Sequence, residues 1–190
     1  NRPRLLLVGV REGIDVSLNP LKPASGLLPE YTNDYPSIEE LLGDLVDDEY
    51  QPGGETKKYP KPATTEIQRE MRRDPILGRV RRKGSTVSEH KYSKHSKEIS
   101  KKFKHMILTG GRVKPSMETK KFAQRVLPPT WPDKGPTITA TSLPDDYVHF
   151  EQPRSLTVRE WARIQTFPDW YEFSGPRTTG GLRRAGNPRE

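Results

Sequence analysis

A short helix with a signal at each end lies in residues 153–169, and it constrains the fold more than any other segment. Thr157 is a residue type favoured at a helix N-cap, and Glu160 can return a hydrogen bond to the backbone N–H of that cap. Pro168 ends the helix, because proline offers no N–H and disfavours helical angles at the residue before it. Four positions at helical spacing predict one face that packs on the protein: Val158, Trp161, Ala162 and Gln165.

The same segment resembles a sequence block of the C5-cytosine DNA methyltransferases. That block reads Arg-x-Leu-Thr-x-Arg-Glu-x-Ala-Arg-x-Gln-x-Phe-Pro-Asp, and residues 154–169 reproduce it. In the family the block is a scaffold that holds the target-recognition region against the catalytic domain, so the resemblance implies structural roles. The residues to which it assigns these roles are Arg154, Thr157, Arg159, Glu160, Arg163 and Gln165.

Composition argues against one large hydrophobic core. Only 31% of the 190 residues are hydrophobic, and 19 prolines with 15 glycines indicate much irregular backbone. Together with the resemblance, this predicts an α+β fold. We expect the C-terminal part of a C5-cytosine methyltransferase, with an edge of the catalytic α/β sheet and a loop-rich, mixed α/β target-recognition domain.

The first residues carry a second resemblance to the family. Residues 4–10 form a short apolar run typical of a buried strand, and Arg2 and Arg4 stand at its start. A family block of this kind places two arginines beside the flipped cytosine. The resemblance implies that Arg4 contacts the cytosine ring oxygen and that Arg2 supports the site. Ordinary surface charge at the start of a strand is the alternative interpretation.

A second capped helix is predicted from Ser37. Its apolar positions recur at helical spacing: Ile38, Leu41, Leu42, Leu45 and Val46. Its acidic positions are expected to face water and to repel DNA: Glu39, Glu40, Asp44, Asp47 and Asp48. In the family, a similar helix ending in Gly-Asp-Leu, here residues 43–45, stands just before the recognition region.

Changes of composition divide the chain. Residues 1–49 are expected to end the catalytic α/β domain, and residues 50–65 read as a linker rich in proline and glycine. Residues 66–150 are expected to form the target-recognition domain. Residues 151–190 would hold the capped helix and a flexible basic tail. The chain starts without methionine and inside a recognisable motif, so we expect a piece of a larger protein or one half of a divided enzyme.

Positive charge is concentrated in the middle of the chain. Residues 66–125 carry 18 Lys and Arg against 6 Asp and Glu, a net charge of +12 in a chain whose total is +8. Lys and Arg that neutralise phosphates release counterions, so the segment favours double-stranded DNA as a partner. A solvated basic helix and loop, or a disordered tail, is the alternative interpretation.

Within this basic region the pattern predicts a helix from about Ser96 to Leu108, with apolar positions at Ile99, Phe103, Met106 and Ile107 and a stop at residues 110–111. Arg112 and Lys114 follow the two glycines and suit phosphate or a guanine edge. Further on, residues 136–141 read as a β-branched strand or extended loop. A Thr followed by a branched aliphatic resembles family recognition regions, which implies that Thr137 and Ile138, with Thr139, contact DNA. An ordinary strand is the alternative.

The chemistry that the chain lacks is also informative. It contains no cysteine, whereas the family forms a bond between a cysteine thiolate and the cytosine ring before methyl transfer from S-adenosylmethionine. The resemblance finds neither the family's Pro-Cys loop nor its main cofactor-binding motifs here. We therefore expect the chain alone to be catalytically inactive. His90, His95 and His105 lack the spacing and partners of a zinc site, so no metal is predicted.

The favoured interpretation is the target-recognition portion or subunit of a C5-cytosine DNA methyltransferase that modifies a specific DNA sequence. Its partners would be double-stranded DNA and the catalytic portion or subunit of the enzyme. A non-catalytic, sequence-specific DNA-binding or regulatory protein derived from such an enzyme is the alternative, and a basic RNA-binding or scaffolding module is a weaker one. No apolar run approaches the roughly 18 residues of a membrane span, and a bacterial cytoplasmic, nucleoid-associated location is expected.

Overall fold

A computed structural model describes residues 36–118, 125–127 and 147–174. The chain divides into two compact units, Asn1–Tyr35 and Pro36–Glu190, and every described residue belongs to the second. The described part contains four short α-helices and a two-stranded sheet, which is consistent with the predicted α+β fold. None of these helices is both long enough and apolar enough to cross a membrane.

Helix α1, Ile38–Leu42, begins at the predicted N-cap. The Ser37 side chain accepts the N–H of Glu40 at 3.1 Å, and the Glu40 carboxylate accepts the N–H of Ser37 at 2.7 Å. The predicted apolar positions of this segment are buried. The expectation that Asp44 faces water is wrong, since it is only 2% exposed. The chain tightens into a 3₁₀ turn at Gly43–Leu45, so the α-helical spacing no longer gives the direction of its side chain.

The segment that composition marks as a linker is packed in the described structure. Residues 54–59 run antiparallel to residues 85–92, with isolated bridges between Glu55 and Lys91 and between Lys58 and Thr86. Backbone hydrogen bonds continue the pairing, and the Tyr59 ring is buried. Residues 54–59 and 85–92 therefore form a paired, irregular ladder, and the domain boundaries drawn from composition stay predictions.

Helix α2, Glu66–Met71, follows this ladder and packs against α1. Thr65 caps it, and the Gln68 side chain returns a bond to the backbone of the cap. The Thr65 hydroxyl also donates to the Glu40 carbonyl at 2.8 Å, so the start of α2 is fixed to the middle of α1.

Helix α3, Lys97–Leu108, confirms the predicted basic helix and its Ser96 cap. Phe103 and Met106 are buried against Val148, and Ile99 and Ile107 pack on this cluster. The helix ends in a left-handed turn: Gly110 and Gly111 have φ of 65° and 92°, and the Gly111 N–H donates to the Met106 carbonyl at 2.7 Å. The predicted stop at the two glycines is therefore confirmed.

Strands β1, Arg125–Val126, and β2, Tyr147–Val148, pair in parallel beside α3. Helix α4, Val158–Ile164, then packs against α1. The main hydrophobic cluster lies among these elements and includes Ile38, Leu42, Leu45, Tyr59, Leu127 and Leu156. The strands predicted at residues 4–10 and 136–141 lie outside the described residues.

The face of α4 that points into the protein differs from the predicted one. Thr157 caps the helix and Glu160 completes the capping box, as predicted. However, Gln165 is exposed, and Val158 and Trp161 are only half-buried. The buried positions of the helix are Arg159, Glu160, Ala162 and Arg163. The hydrophobic periodicity predicted an ordinary surface helix, but α4 buries a largely charged side.

Candidate functional site

Arg163 lies at the centre of a buried ionic network. Its Nε and Nη2 donate to the two carboxylate oxygens of Asp169 at 2.9 and 2.6 Å. Its Nη1 donates to Asp44 at 2.5 Å and to the Leu41 carbonyl at 2.8 Å, and Nη2 also reaches Asp44 at 3.2 Å. All five N–H donors of the guanidinium thus have an acceptor. Burial alone would lower the pKa of Arg163, but Asp169 and Asp44 outweigh it and the pKa is raised.

Arg72 shares the Asp44 carboxylate with Arg163. Arg72 Nη2 lies 2.5 Å from Asp44 Oδ2, and it also donates to the Lys61 carbonyl at 2.9 Å. Its guanidinium stacks over the Tyr59 ring at 3.7 Å, which covers the face of a group whose Nε and Nη1 have no hydrogen-bond partner. Asp44 therefore connects α1 to the end of α2 and to α4.

Arg154 and Glu160 form a second buried pair. Arg154 Nη1 and Nη2 donate to the two carboxylate oxygens of Glu160 at 2.8 and 2.6 Å. Burial would raise the pKa of Glu160, but the charge of Arg154 outweighs it and holds the pKa well below its usual range. The same carboxylate accepts the Thr157 N–H at 2.8 Å, so Glu160 takes part both in the capping box of α4 and in this ion pair.

His149 lies beside the second pair in its neutral form. Its Nδ1 accepts the backbone N–H groups of Glu151 and Gln152 at 3.1 and 3.0 Å, so the ring proton is on Nε2, which lies 3.5 Å from Glu160 Oε1. Burial, helped by the positive charge of Arg154, lowers the pKa of His149 to about 4. The 3.5 Å separation is too long for a strong hydrogen bond, so the ring contributes packing more than charge.

Arg159 holds the turn that follows α4. It donates to the Pro168 carbonyl at 3.2 Å and to the Tyr171 carbonyl at 2.9 Å. It also donates to the Ser88 carbonyl at 3.1 Å and to the Ser88 hydroxyl at 2.9 Å. The Arg159 side chain therefore ties residues 168–171 to the ladder at residue 88 and is not available to a ligand.

His90, a position that tempts a metal assignment, is part of this interior. Its Nε2 lies 2.9 Å from the Leu45 carbonyl, which can only accept, so Nε2 carries the proton. Its Nδ1 then accepts from the Thr157 hydroxyl at 2.9 Å. That hydroxyl also accepts the Glu160 N–H as the N-cap of α4. These two hydrogen bonds connect the cap of α4 to the turn after α1.

The buried carboxylates of the described part are committed to ion pairs. In the described ranges the buried carboxylates are Asp44, Glu160 and Asp169, and each is paired with at least one arginine. These carboxylates and the arginines of residues 154–163 therefore hold protein elements together.

The outward cations are arranged differently. Lys97, Lys101 and Lys104 are exposed on one side of α3, opposite the side that carries Phe103 and Met106. Their spacing of three and four residues makes one stripe of positive charge. Beyond the glycine turn, Arg112 and Lys114 are also exposed, as their predicted DNA contact requires. Lys102 of the same helix is buried, so it does not belong to this surface.

Several residues assigned by the sequence lie outside the described residues. These are Arg2 and Arg4 at the cytosine pocket and Thr137, Ile138 and Thr139 of the recognition strand. Their roles stay predictions. Sequence reasoning missed Arg72, His149 and Asp169 as members of the buried network, and it placed Asp44 on the surface. Asp169 is the last residue of the family block and lies six residues after Arg163. This short spacing between an acidic and a basic residue of the block was the one sequence signal that pointed to the network.

Comparison with known proteins decides the family. The family model described as C-5 cytosine-specific DNA methylase matches residues 1–188. The chain belongs to this family. Methylases of this family take their methyl group from S-adenosylmethionine. The predicted resemblance is thus confirmed at the level of the family, and the target-recognition role of the chain remains a proposal.

Bacterial methylases are among the similar proteins. The chain is 31% identical to the type II methyltransferase M.DdeI of Desulfomicrobium norvegicum over 94% of this chain and 43% of that protein. It is 31% identical to the type II methyltransferase M.Eco47II of Escherichia coli over 92% of this chain and 36% of that protein. A third relative, M.AquIB of a Picosynechococcus strain, is 33% identical over 48% of this chain and 63% of that protein. The chain spans less than half the length of the first two relatives.

Proposed function

We propose that the chain is the DNA-reading portion of a C5-cytosine DNA methyltransferase. The observation that carries the proposal is that nearly the whole chain matches the family although it contains no cysteine. Since the reaction needs a thiolate to attack the cytosine ring, the thiolate and the main cofactor site come from another portion or subunit of the enzyme. The chain alone is then inactive.

The separation of charges by burial supports a DNA-facing role. The arginines of the family block are engaged in ion pairs and in hydrogen bonds to backbone carbonyls inside the protein. The cations of α3 and of the following turn are exposed. Rigid elements with a one-sided positive surface are suited to hold a duplex by its phosphates.

The roles of the remaining sequence-assigned residues complete the proposal. Arg112 and Lys114 contact phosphate or a guanine edge, and Thr137, Ile138 and Thr139 contact bases in the major groove. Arg4 binds the ring oxygen of the flipped cytosine and Arg2 supports it, within a domain that ends near residue 49. The block at residues 151–174 is the scaffold that fixes the recognition region, residues 66–150, in position.

Reconstitution tests this function. The 190-residue chain is mixed with the catalytic portion of the enzyme, and incorporation of tritiated methyl groups into DNA is measured. Activity that needs both components, together with DNA binding by the chain alone, supports the proposal. DNA binding without any activity in the mixture would instead identify a non-catalytic DNA-binding protein derived from the family.

A further inference from the structure

A small hairpin projects from the end of α2. Residues 72–81 fold back on themselves through a bridge between Arg73 and Val80, and the Arg81 N–H donates to the Arg72 carbonyl at 3.1 Å. The Asp74 N–H donates to the Arg79 carbonyl at 2.8 Å. The hairpin thus has a regular stem and a tip at residues 75–78.

The tip has a fixed backbone. Asp74 Oδ1 accepts the N–H of Ile76 at 2.9 Å and of Leu77 at 2.8 Å. The Gly78 N–H donates to the Asp74 carbonyl at 3.0 Å, and Gly78 has a φ of 63°, which favours glycine. Arg73 Nη1 donates to the Gly78 carbonyl at 3.2 Å and closes the turn from the other side. The turn therefore holds residues 76 and 77 in one arrangement.

This turn presents two aliphatic side chains to water. Ile76 is 90% exposed and Leu77 is 67% exposed, which makes them two of the three most exposed large hydrophobic residues of the described structure. Single exposed aliphatic residues are common, but two adjacent ones on an ordered tip gain stability only when a partner covers them.

Exposed cations lie in the stem, at Arg73 and Arg79, and directly after it, at Arg82 and Lys83. The carboxylate of Asp74 is engaged with the backbone of the turn. At the base of the hairpin, Arg72 is buried and paired with Asp44. The base of the hairpin is therefore attached to the same ionic network that holds α1 and α4.

We propose that Ile76 and Leu77 form an apolar tip that packs against the bases of a DNA duplex while the arginines of the stem neutralise the flanking phosphates. This inference rests on the proposed DNA-reading function and adds a contact that has no hydrogen-bonding group. Aliphatic side chains that enter a DNA groove bury apolar surface against base edges or between base steps. The exposed cations of the stem and of the residues after it favour a polyanion over a neutral protein surface.

Fluorescence anisotropy on a short mixed-sequence duplex tests the tip. The full chain is compared with the Ile76→Ser/Leu77→Ser variant and with a matched Ile76→Met/Leu77→Met variant that keeps the apolar character. Affinity is measured over a salt series of roughly 50 to 200 mM, because phosphate contacts set the salt dependence. Both positions are exposed, so urea unfolding should be unchanged in each variant.

The serine variant should lose affinity by about tenfold or more at every salt concentration, because buried aliphatic surface is lost. The slope of log affinity against log salt should stay the same, since no phosphate contact is removed. The methionine variant should bind nearly as the parent does. Equal binding by the parent and the serine variant would overturn the tip contact and leave the proposed function intact.

Two further outcomes separate the inference from its foundation. If the parent chain itself does not bind the duplex, the proposed DNA-reading function fails, and the tip contact fails with it. If the serine variant keeps its DNA affinity but no longer supports methyl transfer when mixed with the catalytic portion, the tip contacts that protein, and the proposed base contact is wrong.

Discussion

Arg163 Nη1 donates to the carboxylate of Asp44 at 2.5 Å, across 119 residues of sequence. Both side chains are fully buried. The pair therefore joins α4 to the 3₁₀ turn after α1, and Asp169 neutralises the same arginine from the turn beyond α4. Removal of one member of such a group leaves the others as uncompensated charges in the interior, which is far costlier than the net value of the pair.

Replacing Arg163 with lysine should lower the free energy of unfolding substantially. Lysine keeps the charge but cannot donate to Asp44, Asp169 and the Leu41 carbonyl in the fork geometry. We expect a loss of roughly 3–5 kcal/mol in the free energy of unfolding, measured by urea denaturation. Arg112→Lys, at an exposed arginine, is the matched control and should change stability by less than about 0.5 kcal/mol. Similar stability of the two variants would contradict the central role of Arg163.

Acid should weaken the fold before any carboxylate of the network is protonated. Burial lowers the pKa of His149 to about 4 and also lowers that of His90, whereas both titrate near 6.5 in the unfolded chain. Below pH 6.5 the unfolded state therefore binds protons at these histidines that the folded state does not bind, and stability falls. Between pH 6.5 and about 4, His149 alone should remove on the order of 3 kcal/mol.

The His149→Asn variant isolates this effect. The asparagine carbonyl can accept the N–H groups of Glu151 and Gln152 in place of Nδ1, but it does not titrate. Stability against urea should then depend less steeply on pH between 6.5 and 4. Below that window, stability should again fall as the pH is lowered. The pKa values of Glu160 and Asp169 are lowered in the folded state, so the unfolded state is protonated at these groups first. An unchanged slope between pH 6.5 and 4 would refute the assignment to His149.

The two N-caps at Thr157 and Ser96 should differ in strength. The Ser96 side chain is exposed and its hydroxyl accepts the Ile99 N–H, so Ser96→Ala should cost about 0.5–1 kcal/mol. Thr157 caps α4 and also serves the buried ring of His90, which would lose its partner. Thr157→Ala should cost about 2 kcal/mol or more, and thermal unfolding of the two variants compares them directly.

Local signals explain what the sequence could predict. Ser37, Ser96 and Thr157 cap their helices because a cap depends on residues only three positions apart. The Gly110–Gly111 stop is local in the same sense. These features were predicted from the residues alone, without knowledge of the partners that each helix meets.

Long-range pairing explains what the sequence could not predict. Asp44 looks like a solvent-facing position because periodicity assumes that charge points outward and that the helix continues, and neither holds at residue 44. Its partners, Arg72 and Arg163, are 28 and 119 residues away, so no local pattern records the pairing. The family resemblance gave the arginines of residues 154–163 a structural role, but not their carboxylate partners.

The lysine stripe of α3 should set part of the salt dependence of DNA binding. If Lys101 and Lys104 each neutralise a phosphate, the Lys101→Gln/Lys104→Gln variant should lower the slope of log affinity against log salt by about 0.9 per lysine. The Lys57→Gln/Lys58→Gln variant removes two exposed lysines outside the basic segment and should leave the slope unchanged. Anisotropy titrations give both slopes, and equal slopes for the two variants would show that the DNA lies elsewhere.

Arg4→Ala should separate catalysis from DNA binding in the complete enzyme. If Arg4 meets the cytosine only after the base has left the stack, its contact is made late and supports the reacting state more than the ground state. Affinity for the duplex comes mostly from phosphate contacts, which this substitution leaves in place. Methylation measured by tritiated methyl transfer should therefore fall much further than retention of DNA on a filter. Equal loss in the two assays would reassign Arg4 to the DNA backbone.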